Sequence, residues 1–284
     1  MSGAEQPDLP YFDLLLRRLE QGDPAFDAAF GRHVHWGSWA DPAAADGSPE
    51  DFARAADRLT QRLLAVAAIS PGERVLDAGC GLGGTLAQLQ ASVSDLELTG
   101  LNIDARQLQR AAARPTSDGG GPIRWVCGDA CAMPFAPASF DAVLAVECIF
   151  HFPSRDAFFA EAARVLRPGG RLVLCDFVPS PALRLVQRAG ALLGRQSGGS
   201  VGATYGAIDC TCSRGGYRRL ARRHGLRQRL DLDINRSTLP TYPVVERLFE
   251  AAGWPEAVEA TRTIGWLSRR GLLRYRILAF ERPG

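Results

Sequence analysis

The chain has 284 residues, 46% of them apolar and 23% charged, with a formal net charge of +2. That is enough apolar material for one large α/β domain with accessory segments, and the near-neutral charge argues against nucleic acid as a partner. Lysine is absent from the sequence, which excludes Schiff-base chemistry on lysine and a P-loop lysine. The seven cysteines show no C-x-x-C spacing, so buried free thiols are expected rather than a disulfide framework or a zinc site, and no metal. The N-terminus lacks the basic and apolar regions of a signal peptide, and the longest apolar run, from Leu63, is short for a membrane span. A soluble cytoplasmic protein, as monomer or homodimer without membrane contact, is the expectation.

Residues 8–31 and 50–69 carry helical spacing, and Ser48, Pro49 and Asp51 form the start signal of the second stretch. From Ser70 short apolar strands alternate with helices. "RVLDA" is a strand followed by a glycine turn and a helix from about Gly83. "LELTGLN" is a strand, "DARQLQRAAAR" a helix, and "IRWVCGD", "FDAVLAVE" and "GRLVLCDFV" are further strands, the last two separated by the helix "SRDAFFAEAARVL". Apolar strands alternating with helices predict a doubly wound parallel sheet covered on both faces. After Phe177 the rhythm breaks. A helix "SPALRLVQRAGALLG", a flexible "RQSGGSVGATYGA", a helix near 213–224, a strand near 226–234, helical segments over 241–268 and a final strand "LLRYRILAFER" follow. The irregular pieces read as a cap on the sheet, covering a substrate cavity.

In such a sheet ligands bind beyond the carboxyl ends of the strands. The turn after the first strand, with Gly79, Gly81 and Gly84, satisfies the letter of the dinucleotide fingerprint G-x-G-x-x-G. Asp77, two residues ahead, would repel a pyrophosphate and welcome an ammonium. An NAD(P)-dependent oxidoreductase therefore stays open only as the rival enzyme class, with a non-catalytic cofactor-binding protein as the rival outside catalysis.

The stretches "VLDAGCGLGG", "GLNIDARQL", "CGDACAMPFAPASFDAVLAVECIFHF" and "EAARVLRPGGRLVLCDF" together resemble class I S-adenosylmethionine-dependent methyltransferases. The likeness is to small-molecule enzymes of natural-product pathways, such as sugar O-methyltransferases, and to ubiquinone-type methyltransferases. The resemblance implies a Rossmann-like, seven-stranded, mostly parallel sheet with its last strand antiparallel. Residues 1–69 would form an N-terminal helical lid, and 70–284 the methyltransferase domain with cap segments 178–212 and 236–270. It implies S-adenosylmethionine as cofactor, S-adenosylhomocysteine as product, and a small-molecule acceptor of bacterial secondary metabolism. O-methylation is the first expectation, with C- or N-methylation of a prenyl, aromatic or amine acceptor as the alternative.

By the same resemblance Asp77, Gly79, Gly81 and Gly83 would meet the methionine part of the cofactor. Asn102 would take the ribose, where the family usually has an acid, so charge assistance is lost. Ile103 and Gln107 would lie at the adenine, with Asp129 and the Ala130 N–H holding its edge. His151 is the candidate base, suited to a proton near neutrality, and Glu147, four residues back, would share its face on a helical turn. In "GRHVHWGSW", Trp36 and Trp39 could stack on cofactor or substrate, and His33 or His35 could reach the cofactor carboxylate. Thr241 and Tyr242, with His35 and Trp39, are candidates for the acceptor cavity. The arginine-rich "RGGYRRLARRHGLRQR" carries no interleaved aromatics and reads as a solvated face.

Overall fold

A computed structural model describes residues 8–114, 121–192 and 199–284. Among them no helix is long and apolar enough to cross a membrane. Three helices come first: α1 (Pro10–Glu20), α2 (Pro24–Phe30) and α3 (Pro49–Ala67). The start signal read for the third is present. Ser48 Oγ accepts from the Asp51 N–H at 3.1 Å, with Pro49 in the first turn.

The alternation follows as β1 (Arg74–Ala78), α4 (Gly84–Ser92), β2 (Glu97–Asn102), α5 (Ala105–Ala112), β3 (Arg124–Cys127), β4 (Phe140–Val146), α6 (Arg155–Val165) and β5 (Leu166–Pro179). Side-chain caps open two of these helices, Asp104 for α5 and Ser154 for α6. The rest of the chain supplies α7 (Pro181–Leu192), α8 (Gly199–Tyr205), α9 (Arg214–Arg223), β6 (Arg227–Asp233), α10 (Asn235–Thr238), α11 (Thr241–Ala251), α12 (Pro255–Arg269) and β7 (Leu273–Glu281).

The seven strands form one sheet in the order β3-β2-β1-β4-β5-β7-β6. The first five pair in parallel, and β7 runs antiparallel to both β5 and β6. This is the predicted doubly wound architecture, with its switch point between β1 and β4. Every residue of β4 is buried, because successive side chains enter cores on opposite faces. Ala142 and Leu144 join the core with α3 and α4, while Val143 and Ala145 join that with α6 and α9.

Two expectations change. Residue 69 does not divide lid from domain. Phe52, Leu59 and Leu63 of α3 are fully buried in the core that also holds Val75 of β1 and Ile277 of β7. Of residues 8–69, it is α1, α2 and the segment before α3 that line the cavities. The stretch read as flexible at 195–207 contains α8, and 193–198 lie outside the described residues. Burial of Thr204 and Tyr205, with the Tyr205 hydroxyl 3.1 Å from Thr261 Oγ1, outweighs the weak helix propensity of its glycines.

Candidate active site

A cavity of about 1050 Å³ opens beyond the carboxyl ends of β1, β2, β3 and β4. The turn after β1 forms its floor. Gly79 and Gly81 have φ values of +81° and +53°, in the left-handed region that favours glycine. A β-carbon on Gly79 would lie 2.8 Å from Cys148 Sγ, whereas one on Gly81 would meet nothing nearer than 3.9 Å and would stand in the cavity. Gly83 does not line it. Its Cα faces the Trp125 indole, where a β-carbon would come within 2.5 Å, so this glycine serves packing at the start of α4 rather than the ligand.

Asp77 ends β1 against this turn. Its side chain is 1% exposed, and Oδ1 is buried with no hydrogen-bond partner. Burial alone pushes its carboxyl up to about 7. An uncompensated acid in a cavity wall fits a ligand that brings a positive charge, and it does not fit a pyrophosphate. Arg32 and His33 line the same cavity, offering a cation and a polar ring to a carboxylate. His33 Nε2 is 2.9 Å from Asp57 Oδ1, and His35 is tied to the Trp36 carbonyl, His33 and Thr60. His35, proposed for the acceptor, thus belongs to the first cavity.

Asn102 closes β2, lines the cavity, and is already partly committed. Its Nδ2 donates to Gln107 Oε1 at 3.1 Å, and its Oδ1 accepts from the Asp104 N–H at 3.1 Å. One amide N–H and one lone pair remain for a diol. Asp104 also lines the cavity and carries the carboxylate that Asn102 lacks, but Arg106 grips both of its oxygens at 3.1–3.2 Å through Nε. Ile103, Gln107, Asp129 and Ala130 complete this end. Asp129 Oδ1 accepts from the Cys131 N–H at 2.7 Å, which fixes the turn after β3 and points its carboxyl along the wall.

A second cavity, of about 500 Å³, lies among α1, α2, α7, α8, α11 and α12. Six residues line both cavities: Tyr11, Val34, Glu147, Phe150, His151 and Ile208. Glu147 and His151 meet here, though not on a helical turn. Glu147 has φ +54°, a costly conformation for a side chain with a β-carbon, and only Ile149–His151 form a short 3-10 turn. Its Oε2 accepts from the Trp36 N–H at 2.9 Å and from the Tyr275 hydroxyl. Burial pushes the carboxyl up to about 8, with those two donors opposing. Glu147 is therefore protonated at neutral pH and fastens the lid backbone to β7.

His151 Nε2 lies 3.1 Å from the Tyr11 hydroxyl, and its Nδ1 is buried without a hydrogen bond. Burial lowers the imidazole to about 4, so it is neutral near pH 7 with a free lone pair, but a weaker base than the ordinary ring expected from the sequence. Tyr11, which stacks on the ring at 5.8 Å, was missed in the sequence because nothing in "PYF" distinguishes a site tyrosine from a packing one. The wall formed by residues 207–209 is anchored from below. Arg155, 6% exposed, reaches Asp176 at 2.9 Å and also pairs with Asp209, and the Tyr217 hydroxyl donates to Asp176.

The aromatic candidates sit elsewhere than expected. Trp36 lines the second cavity instead of the first and packs edge-on against Phe177 and Tyr242. Trp39, Thr241 and Tyr242 line neither. The Trp39 indole donates to Asp51 at 2.6 Å, Thr241 Oγ1 accepts from the Gly37 N–H, and the Tyr242 hydroxyl pairs with Ser268 at 2.7 Å. Each satisfies a polar group while joining the segment before α3 to the core, so packing has claimed them.

A glycine turn under an unpaired acid, followed by polar ends on the next two strands, forms a ligand site at the switch point of this sheet. Residues 76–174 match the family model described as a methyltransferase domain. The chain is 37% identical over 172 residues to Methyltransferase GfsG of Streptomyces halstedii, covering 59% of this chain and 60% of that protein. It is 40% identical over 159 residues to 27-O-demethylrifamycin SV methyltransferase of Amycolatopsis mediterranei (strain S699), covering 55% and 56%. The matched stretches thus span less than two thirds of these relatives. Among solved structures the cyclase SpnF superposes with a TM-score of 0.72 over 100% of this chain and 99% of that one, at 21% identity, which is a likeness of fold.

Proposed function

We propose that the protein transfers a methyl group from S-adenosylmethionine to a hydroxyl of a small molecule seated in the second cavity. The observation that carries this reading is the junction. A neutral histidine, a tyrosine and a protonated glutamic acid stand where a cavity fitted to the cofactor meets a cavity with no such fittings. When bound, the cofactor supplies an electrophilic methyl on a sulfonium. Asp77, Gly79, Gly81, Asn102, Ile103, Gln107, Asp129 and Ala130 would hold it.

The protein's own contributions are placement and one proton. The second cavity orients the acceptor, and the lid over the junction keeps water out. His151 takes the proton of the acceptor hydroxyl, either at Nε2 in place of Tyr11 or through the Tyr11 oxygen. Glu147, carrying its own proton near neutrality, is a poor base and acts as a positioning residue. A hydroxyl acceptor must lose its proton as the new O–CH3 bond forms, and His151 with Tyr11 stands at the junction to take it, so O-methylation is the reading adopted.

Thermal melting tests the cofactor. S-adenosylhomocysteine at 100 times its Kd stabilises by about 2.7 kcal/mol, a rise of roughly 4–5 °C for a chain of this size. NADH leaves the transition in place. A shift with NADH and none with S-adenosylhomocysteine overturns the proposal.

A further inference from the structure

The second cavity says what kind of acceptor it takes. Its wall is hydrocarbon on nearly every side, with Leu15, Phe26, Val245 and Ile264 among its contributors. Among the described residues that line it there is no arginine and no aspartate, and the chain has no lysine. The only acid is Glu147, whose carboxyl hydrogen-bonds Trp36 and Tyr275. The first cavity differs, since Arg32, Asp77, Asp104 and Arg106 all line it. A charged group taken into the second cavity would lose its water and gain no counter-ion.

Polar groups are few. The junction has Tyr11 and His151, and Trp36, Ser200, Tyr205, Thr211 and Thr263 are the other polar contributors to the wall besides Gln187. Two buried polar atoms of the lining outside the junction have no partner: Trp36 Nε1, and Oε1 of Gln187 on α7, whose Nε2 donates to the Cys210 carbonyl at 3.5 Å. An unpaired buried acceptor is costly, and a ligand donor would relieve it.

We infer that the acceptor is an uncharged, mainly hydrocarbon molecule that presents a hydroxyl at the junction and a second hydrogen-bond donor to Gln187. Phosphorylated acceptors, including prenyl diphosphates and an unshielded sugar phosphate, find no counter-ion among the described residues of the same wall. The inference rests on the methyltransferase reading for the role of this cavity, and on the cavity's own chemistry for the class of ligand.

The test uses the full chain, farnesol as the neutral probe and farnesyl monophosphate as its charged counterpart, in equilibrium dialysis with and without saturating S-adenosylhomocysteine. Farnesol is expected to bind at least tenfold tighter than the phosphate. Ile264→Arg, on the outer wall, is expected to weaken farnesol at least tenfold and leave S-adenosylhomocysteine affinity unchanged. Equal or tighter binding of the phosphate to the unaltered protein overturns the inference whatever the variant does, as does absence of farnesol binding. If S-adenosylhomocysteine fails to bind while farnesol still outcompetes the phosphate, the methyltransferase reading falls and the ligand class stands.

Discussion

Replacing Glu147 with glutamine separates charge from shape at the junction. Both donors, the Trp36 N–H and the Tyr275 hydroxyl, reach Oε2, so the proton belongs on Oε1. Glutamine puts its carbonyl where Oε2 was and an amide N–H where the acid proton was. The folded carboxyl titrates at about 8 against 4.5 for an ordinary one. Between these values the folded protein holds the proton and the unfolded chain does not. Its contribution is fully present below 4.5 and is lost progressively as pH rises to about 8. From pH 6 to pH 8 that linkage removes about 2 kcal/mol. Guanidinium unfolding of both proteins at both pH values is the assay. Relative to the unaltered protein, Glu147→Gln is expected to gain about 2 kcal/mol between pH 6 and pH 8, since the contributions of Asp77 and His151 cancel in the comparison. A stability gap that stays the same at both pH values refutes the assignment of a protonated Glu147.

Two other expectations concern the base and its support. His151→Ala should lower kcat by roughly 10²–10⁴-fold and leave the S-adenosylhomocysteine Kd within about twofold. An unchanged kcat, with chemistry limiting turnover, removes His151 from the role. Because burial lowers this imidazole to about 4, kcat should hold level from pH 7 down to about 5, and an inflection near 6.5 contradicts a buried base. Arg155→Ala leaves Asp176, fully buried, without its cation, which should cost about 3–5 kcal/mol in urea melts. Arg155→Met combined with Asp176→Leu should recover most of it, and a single variant as stable as the parent would falsify the anchoring role.

The sheet was legible because its strands announce themselves twice, as apolar runs and as punctuation by Gly, Asp and Ser. Cap residues Ser48, Asp104 and Ser154 stand where the pattern placed helix starts. The lining of the first cavity was legible for the same local reason, since Asp77, Gly79, Asn102 and Asp129 sit at or beside strand ends in sequence order. Gly83 shows the limit of that logic. Its neighbour Trp125 lies 42 positions away, so a turn motif cannot tell a glycine facing a ligand from one facing an indole. The second cavity was nearly invisible, because residues from six helices converge on it with no common spacing. Tyr11 and Gln187 look like ordinary helix residues, while Trp39 and Tyr242, the conspicuous aromatics, are absorbed by packing.

The central claim is that the unpaired Asp77 beside the glycine turn holds a sulfonium cofactor's amino-acid end. Calorimetric titration of S-adenosylhomocysteine into the unaltered protein and into Asp77→Asn tests it directly. One saturable site is expected in the first, and at least tenfold weaker binding in the variant. Asp77 is raised to about 7 from 3.8, so its contribution to stability falls as pH rises through 7, and the variant should be the more stable protein at pH 8. Weaker binding by a more stable fold is a pairing that simple damage does not produce. No heat from the unaltered protein at saturating ligand, or equal affinity in both proteins, contradicts the account.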